Sequence, residues 1–133
     1  MKRILVVDDD VVMIRLYEVQ LRRSGYSAYY FQNSEEALGR AKGIDPDLAI
    51  LDYNMPGLNG ADLSHALRDL LGKPQMPTIF VTGEMEEGIL ARIGQIENAR
   101  LLAKPFSPRR VITLVEEFFA EDNKVANSTE SQP

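Results

Sequence analysis

The chain has 133 residues, of which 44% are hydrophobic and 26% charged, enough for one domain that buries its own core. It has no Cys and a single His, which excludes disulfide frameworks, thiol nucleophiles, thiolate metal centres and multi-histidine zinc sites. With 15 Lys and Arg against 20 Asp and Glu the net charge is −5, a balance repelled by phosphate backbones and anionic membrane surfaces, so neither direct nucleic-acid nor membrane contact is expected.

Met1-Lys2-Arg3 opens like an export leader, but the apolar run Ile4 to Val7 stops at Asp8, Asp9 and Asp10. No stretch approaches the roughly 20 apolar residues of a membrane span. A cytoplasmic protein is expected. Ile4-Leu5-Val6-Val7 is short, β-branched and continuously apolar, the pattern of a strand buried on both faces of a parallel sheet. Asp10 then caps a helix whose apolar residues include Val11, Ile14, Tyr17 and Leu21, and Gly25 ends it. Ser27 to Phe31 is a second strand. Asn33 with Glu36 makes a capping-box-like start for a short helix ending near Gly43, and Asp45-Pro46-Asp47 is turn chemistry.

Leu48 to Leu51 is the third strand and ends at Asp52; Pro56, Gly57 and Gly60 forbid regular structure in the loop that follows. A helix runs from about Ala61 to Leu71, then a strand from Thr78 to Val81 ends at Thr82-Gly83. The next helix, Glu86 to Asn98, carries Ile89, Ile93 and Ile96 but also Gly88 and Gly94. Each interior Gly costs about 1 kcal/mol relative to Ala, so this helix is expected to be the least stable. Leu101 to Ala103 is a short fifth strand, and Pro108 opens a last helix packed through Val111, Leu114, Val115 and Phe118. Adjacent Phe118 and Phe119 are not expected to share one core, which leaves one partly exposed. Residues 1–121 form the domain, and 122–133 are expected as a disordered tail or the start of a linker.

Five strand-then-helix units imply an α/β fold: a parallel sheet, right-handed crossovers, and helices on both faces. Ligands of such sheets sit at the carboxyl ends of the strands. That rule gathers Asp8 and Asp9 after strand one, Asp52 after strand three, Thr82 after strand four and Lys104 after strand five. Carboxylates about 4 Å apart at an effective dielectric near 20 repel by about 4 kcal/mol per pair, and a hard divalent cation removes that penalty. Oxygen ligands without Cys or His point to Mg²⁺ or a similar ion. Lys104 and Thr82 add a mobile cation and a hydroxyl donor suited to a phosphoryl group.

Four motifs, Val7-Asp8-Asp9, Leu51-Asp52-Tyr53-Asn54-Met55-Pro56-Gly57-Leu58-Asn59-Gly60, Val81-Thr82-Gly83-Glu84 and Lys104-Pro105-Phe106, stand in order along the chain. In these the sequence resembles the response-regulator receiver domain of two-component signalling, from Met1 to about Ala120. The resemblance implies a doubly wound, flavodoxin-like sheet of order 2-1-3-4-5. It also implies that Asp52 accepts a phosphoryl group from a phosphohistidine on a sensor histidine kinase or phosphotransfer protein. By the same carry-over Asp8, Asp9, Asp52 and the backbone carbonyl of Asn54 hold Mg²⁺, with Asp8 acting largely through water. Thr82 and Lys104 engage the phosphoryl oxygens, and Lys104-Pro105 is cis. The protein is then not an enzyme beyond phosphorylating and dephosphorylating itself. Asn54 and Glu84 modulate access of the hydrolytic water, and their polar character implies a short-lived phospho-state.

Gly83, Leu101 and Pro105 complete the switch region. Leu101 departs from the family, which has Tyr or Phe three residues before the Lys, so the readout is expected to use backbone movement around Thr82-Gly83 and the Gly-bearing fourth helix. The output surface is expected on the face of the fourth helix, fifth strand and last helix, toward a downstream protein or in a homodimer. Two other readings compete. A phosphorylation-independent pseudo-receiver scaffold is motivated by Leu101, but a scaffold gains nothing from clustered carboxylates. A haloacid-dehalogenase-type phosphohydrolase fits Asp8 and Asp10 after an apolar strand, yet lacks a late acidic pair and leaves Asp52 unexplained.

Overall fold

The computed structural model describes residues 1–130. The elements run in the order β1 (Arg3–Val7), α1 (Val11–Arg23), β2 (Ser27–Phe31), α2 (Ser34–Ile44), β3 (Leu48–Asp52), α3 (Gly60–Leu71), β4 (Thr78–Thr82), α4 (Glu87–Gly94), β5 (Ala99–Ala103) and α5 (Pro108–Glu130). All strand pairs are parallel, in the expected order β2-β1-β3-β4-β5.

The alternation of the strands divides the core in two. Ile4, Val6, Leu48, Ile50, Ile79 and Val81 face α1 and α5, whereas Leu5, Val7, Ala49, Leu51 and Phe80 face α2, α3 and α4. Covered on both sides, β1, β3 and β4 have no use for polar side chains until they reach the edge of the sheet. There Asp8, Asp52 and Thr82 are buried. The strand ladder continues past the ends: Asp8 N–H donates to Phe31 O at 3.0 Å, Tyr53 N–H to Val81 O at 2.8 Å and Lys104 N–H to Thr82 O at 2.8 Å. Backbone hydrogen bonds thus fix where the edge residues start.

Four local expectations are corrected. The fourth helix covers only eight residues, Glu87–Gly94, instead of reaching Asn98. After Gly94 the bonds become one residue tighter, Gln95 N–H to Arg92 O and Ile96 N–H to Ile93 O, and Asn98 turns left-handed at φ 56°. Ile96 therefore enters the core from a turn. β5 begins two residues earlier than expected, at Ala99, because β4 offers Thr78 and Ile79 as partners for Ala99 and Arg100. Phe118 and Phe119 are both buried. Phe119 rests against the Tyr26 ring, centroids 5.7 Å apart, under Lys2, while Phe118 lies under the Arg100 guanidinium. Finally, α5 extends past Glu121 to Glu130, since neither Gly nor Pro interrupts it after Pro108; residues 131–133 of the expected tail lie outside the described residues.

Candidate functional site

The site is built where β1, β3, β4 and β5 end. Asp10 caps α1, its side chain accepting from Val12 N–H at 2.9 Å, and the turn is tightened by Asp10 N–H donating to Asp8 Oδ1 at 2.9 Å. That bond aims Asp8 inward, leaving it 1% exposed, while Asp9 points to solvent. On β3, Asp52 is 5% exposed. Carboxylate oxygens of Asp8, Asp9 and Asp52 all lie within 4.8 Å of one another. Lys104 Nζ stands 3.6 Å from Asp52 Oδ2, an ion pair just beyond hydrogen-bond contact.

The loop after Asp52 is held by a close approach. Gly60 N–H donates to Tyr53 O at 2.8 Å, and a Cβ on Gly60 would stand 2.8 Å from Tyr53 Cα and 2.9 Å from Asp52 O. Only Gly fits against that backbone, so the start of α3 is pressed onto the segment that carries Asp52. Asn59 caps α3 by accepting from Asp62 N–H at 2.9 Å.

Electrostatics follow from the crowding. Burial pushes the Asp8 carboxyl up to about 6; the Asp10 N–H opposes this, and the Asp52 charge adds to it. Burial raises Asp52 as well, against the pull of Lys104 and the Asn54 backbone N–H. Asp8 Oδ2 is buried without a hydrogen-bond partner among the described residues. A buried, unpartnered carboxylate oxygen beside two further carboxylates is the oxygen-only donor set that a hard cation such as Mg²⁺ satisfies.

Thr82 is fully buried, with its hydroxyl turned to its own loop: Oγ1 accepts from Glu84 N–H at 3.0 Å and donates to Glu84 O at 3.2 Å. Asn54 Nδ2 reaches Thr82 Oγ1 at 3.5 Å from the exposed rim. Glu84, Gly83 and Pro105 are exposed, and the Lys104–Pro105 bond is cis. Space does not require Gly83 to be Gly, since a Cβ there meets only Lys104 Cβ, at 3.8 Å. Leu101 is half-buried beside Ile89, Ile93 and Ile96, on the α4 side of the sheet.

Residues 4–116 match the family model described as the response regulator receiver domain. The chain belongs to that family. Curated relatives of this receiver include the alkaline phosphatase synthesis transcriptional regulatory protein PhoP of Bacillus subtilis, 34% identical over 97% of this chain and 53% of that protein. Another is the transcriptional regulatory protein ResD of the same organism, 32% identical over 86% of the chain and 46% of that protein. The chain spans about half the length of the curated relatives it matches. Among solved structures, a CheY-like response regulator receiver domain protein from Methanospirillum hungatei superposes with TM-score 0.83 at 27% identity, covering 93% of this chain and 98% of that one. The receiver fold and membership in two-component response regulation are therefore established, and no described helix is long and apolar enough to cross a membrane.

Two contributors to the site's surroundings escape a sequence reading. Tyr17, on α1, is 1% exposed, stacks on Phe106 with centroids 6.4 Å apart, and has a hydroxyl without a described partner. Arg92 on α4 pairs with Asp62 at the start of α3. A Tyr on a buried helical stripe was the signal for the first; for the second, nothing in sequence separates this pair from ordinary solvated charge.

Proposed function

We propose that this receiver accepts a phosphoryl group on Asp52. The observation that carries the reading is one buried carboxylate at the end of the central strand β3, with two more carboxylates within 4.8 Å and a lysine ammonium 3.6 Å away. The donor is a phosphohistidine of a sensor kinase or phosphotransfer protein: an Asp52 carboxylate oxygen attacks phosphorus, the phosphorus–nitrogen bond breaks, and the imidazole leaves with its electron pair. Asp8, Asp9 and Asp52, with the carbonyl of Asn54, are the residues suited to hold Mg²⁺, which when bound supplies charge neutralisation for the phosphoryl oxygens. Lys104, 3.6 Å from Asp52 Oδ2, contributes the same neutralisation.

Thr82 provides the link to the surface. Its hydroxyl hydrogen is committed to Glu84 O. Donating it to a phosphoryl oxygen instead releases that carbonyl and frees the loop between β4 and α4. With Leu101 in place of an aromatic ring, loop and helix movement carries the signal to the α4, β5 and α5 face, toward a downstream partner or a second copy. Asn54 and Glu84, polar and exposed at the rim, admit water and keep the phospho-state short-lived. The functional unit is residues 1–121. Since PhoP and ResD are named as transcriptional regulators and are about twice as long, the expected absence of nucleic-acid contact applies to these 133 residues only.

The test is intact mass after incubation with Mg²⁺ and a small phosphodonor, for wild type beside Asp52→Asn. One phosphoryl group that requires Mg²⁺ and is lost in the variant is expected, decaying over the same time course. Equal labelling of the variant would overturn the assignment, and no labelling of a Mg²⁺-binding protein would favour the scaffold.

A further inference from the structure

Two buried polar atoms near the acidic cluster lack partners among the described residues: Asp8 Oδ2 and the Tyr17 hydroxyl. They belong to the same side of the sheet. Asp8 follows Val6 by two residues, one step past the end of β1 where the ladder still continues, and Val6 and Tyr17 share the core cluster beneath α1 and α5. Tyr17 lies on α1, whose first turn is anchored at the strand edge by Asp10, and helix side chains lean toward the N-terminus, here toward the acids. The hydroxyl is close enough to the cluster for the charges of Asp8 and Asp52 to hold its proton on more tightly, after the larger effect of burial. It therefore stays a neutral O–H donor at any working pH.

Packing alone does not account for a hydroxyl there. The ring contributes by stacking on Phe106, two residues past Lys104, and a phenyl ring would make the same stack. The oxygen itself is a cost in an apolar core unless it meets an acceptor, and Asp8 Oδ2 is the unpartnered acceptor on that side.

We propose that Tyr17 is a positioning residue for the metal site: its hydroxyl donates across one bridging water to the inner oxygen of Asp8, and fixes which oxygen Asp8 turns toward Mg²⁺. The inference rests on the metal-site reading above. It is an outer hydrogen bond to a ligand, the kind of contact that orients the ligand and sharpens the site for its ion. Because the same ring touches Phe106, the position of Asp8 and that of the Lys104–Phe106 loop are joined through one side chain.

Calorimetric titration of Mg²⁺ into the unphosphorylated protein tests this with wild type, Tyr17→Phe and Asp8→Asn. Tyr17→Phe is expected to weaken Mg²⁺ binding about tenfold, while its metal-free melting temperature changes little, since the phenyl ring keeps the stack on Phe106. A purely structural tyrosine would leave the affinity within about twofold, and that result, with Asp8→Asn still impaired, overturns the inference alone. Failure of wild type itself to bind Mg²⁺ overturns the metal-site reading and this inference together. A second measurement does not depend on the variant: with ¹³Cζ-labelled tyrosine, Mg²⁺ should shift the Tyr17 resonance and spare exposed Tyr29. A Tyr17 resonance unmoved at saturating Mg²⁺ would also sink the idea.

Discussion

Arg68 and Asp8 are both buried charged side chains, at opposite ends of the same sheet, with opposite surroundings. At the end where β4 begins, Arg68 Nη1 donates to Pro74 O at 3.1 Å. Its Nη2 donates to Met76 O at 2.7 Å, Glu97 O at 2.7 Å and Thr78 Oγ1 at 3.2 Å, so that only Nε lacks an acceptor. One side chain of α3 thereby ties down the segments entering β4 and β5. At the other end, three carboxylates crowd together with a single lysine beyond hydrogen-bond distance. The difference separates two uses of buried charge: where it holds the fold it is nearly saturated with hydrogen bonds, and where it serves a ligand it is left under-compensated.

Removing each charge should therefore have effects of opposite sign. Arg68→Ala leaves several buried carbonyls without a donor and is expected to lower the unfolding free energy by about 3 kcal/mol or more, read from urea denaturation; a loss below about 1 kcal/mol would show that water replaces the guanidinium. Asp8→Asn removes repulsion and is expected to stabilise the metal-free protein by on the order of 1 kcal/mol. The pH dependence fixes the sign. Unfolded, Asp8 sheds its proton near 3.8, and folded only at about 6, so between these values the folded state holds the extra proton. Its contribution is most favourable below the lower value and declines until the pH passes the upper one. Melting curves of wild type and Asp8→Asn should diverge across that window in the absence of metal, and parallel curves would contradict the assigned burial cost.

The smallest effect concerns α4, tied to the body through Ile93 and the Arg92–Asp62 pair. Its N-cap Glu86 makes no side-chain cap bond, and it contains Gly88. Amide exchange in α4 is expected to be the fastest among helices α1 to α4, and Gly88→Ala to slow it by about 1 kcal/mol of opening free energy. Equal protection across these helices would remove the argument that this side of the site is the one built to move.

The inner strands β1, β3 and β4 were legible because a strand covered on both faces has to be continuously apolar, and each such run ends where it meets the edge of the sheet. That is why Asp8, Asp9, Asp52, Thr82 and Lys104 could be placed together from their positions alone, and why the order of the sheet followed from a resemblance carried by those same residues. The end of α4 was not legible. Ile96 keeps the apolar spacing of a helix although the backbone there is already a turn, in which Arg68 takes the Glu97 carbonyl and Asn98 is left-handed.

By itself, then, the sequence determined the family, the parallel sheet and which candidate residues end the strands at one edge, since these depend on hydrophobic periodicity and on short motifs whose members are near one another in the chain. Tertiary structure alone decided that adjacent Phe118 and Phe119 can both be buried, one under Arg100 and one beside Tyr26. It also decided that Gly60 presses on the Asp52 backbone, that the Thr82 hydroxyl is held by its own loop, and that Tyr17 carries a buried, unpartnered hydroxyl into the core it shares with Val6. Those facts depend on contacts between segments distant in sequence, and periodicity records which face a residue occupies but not what waits there.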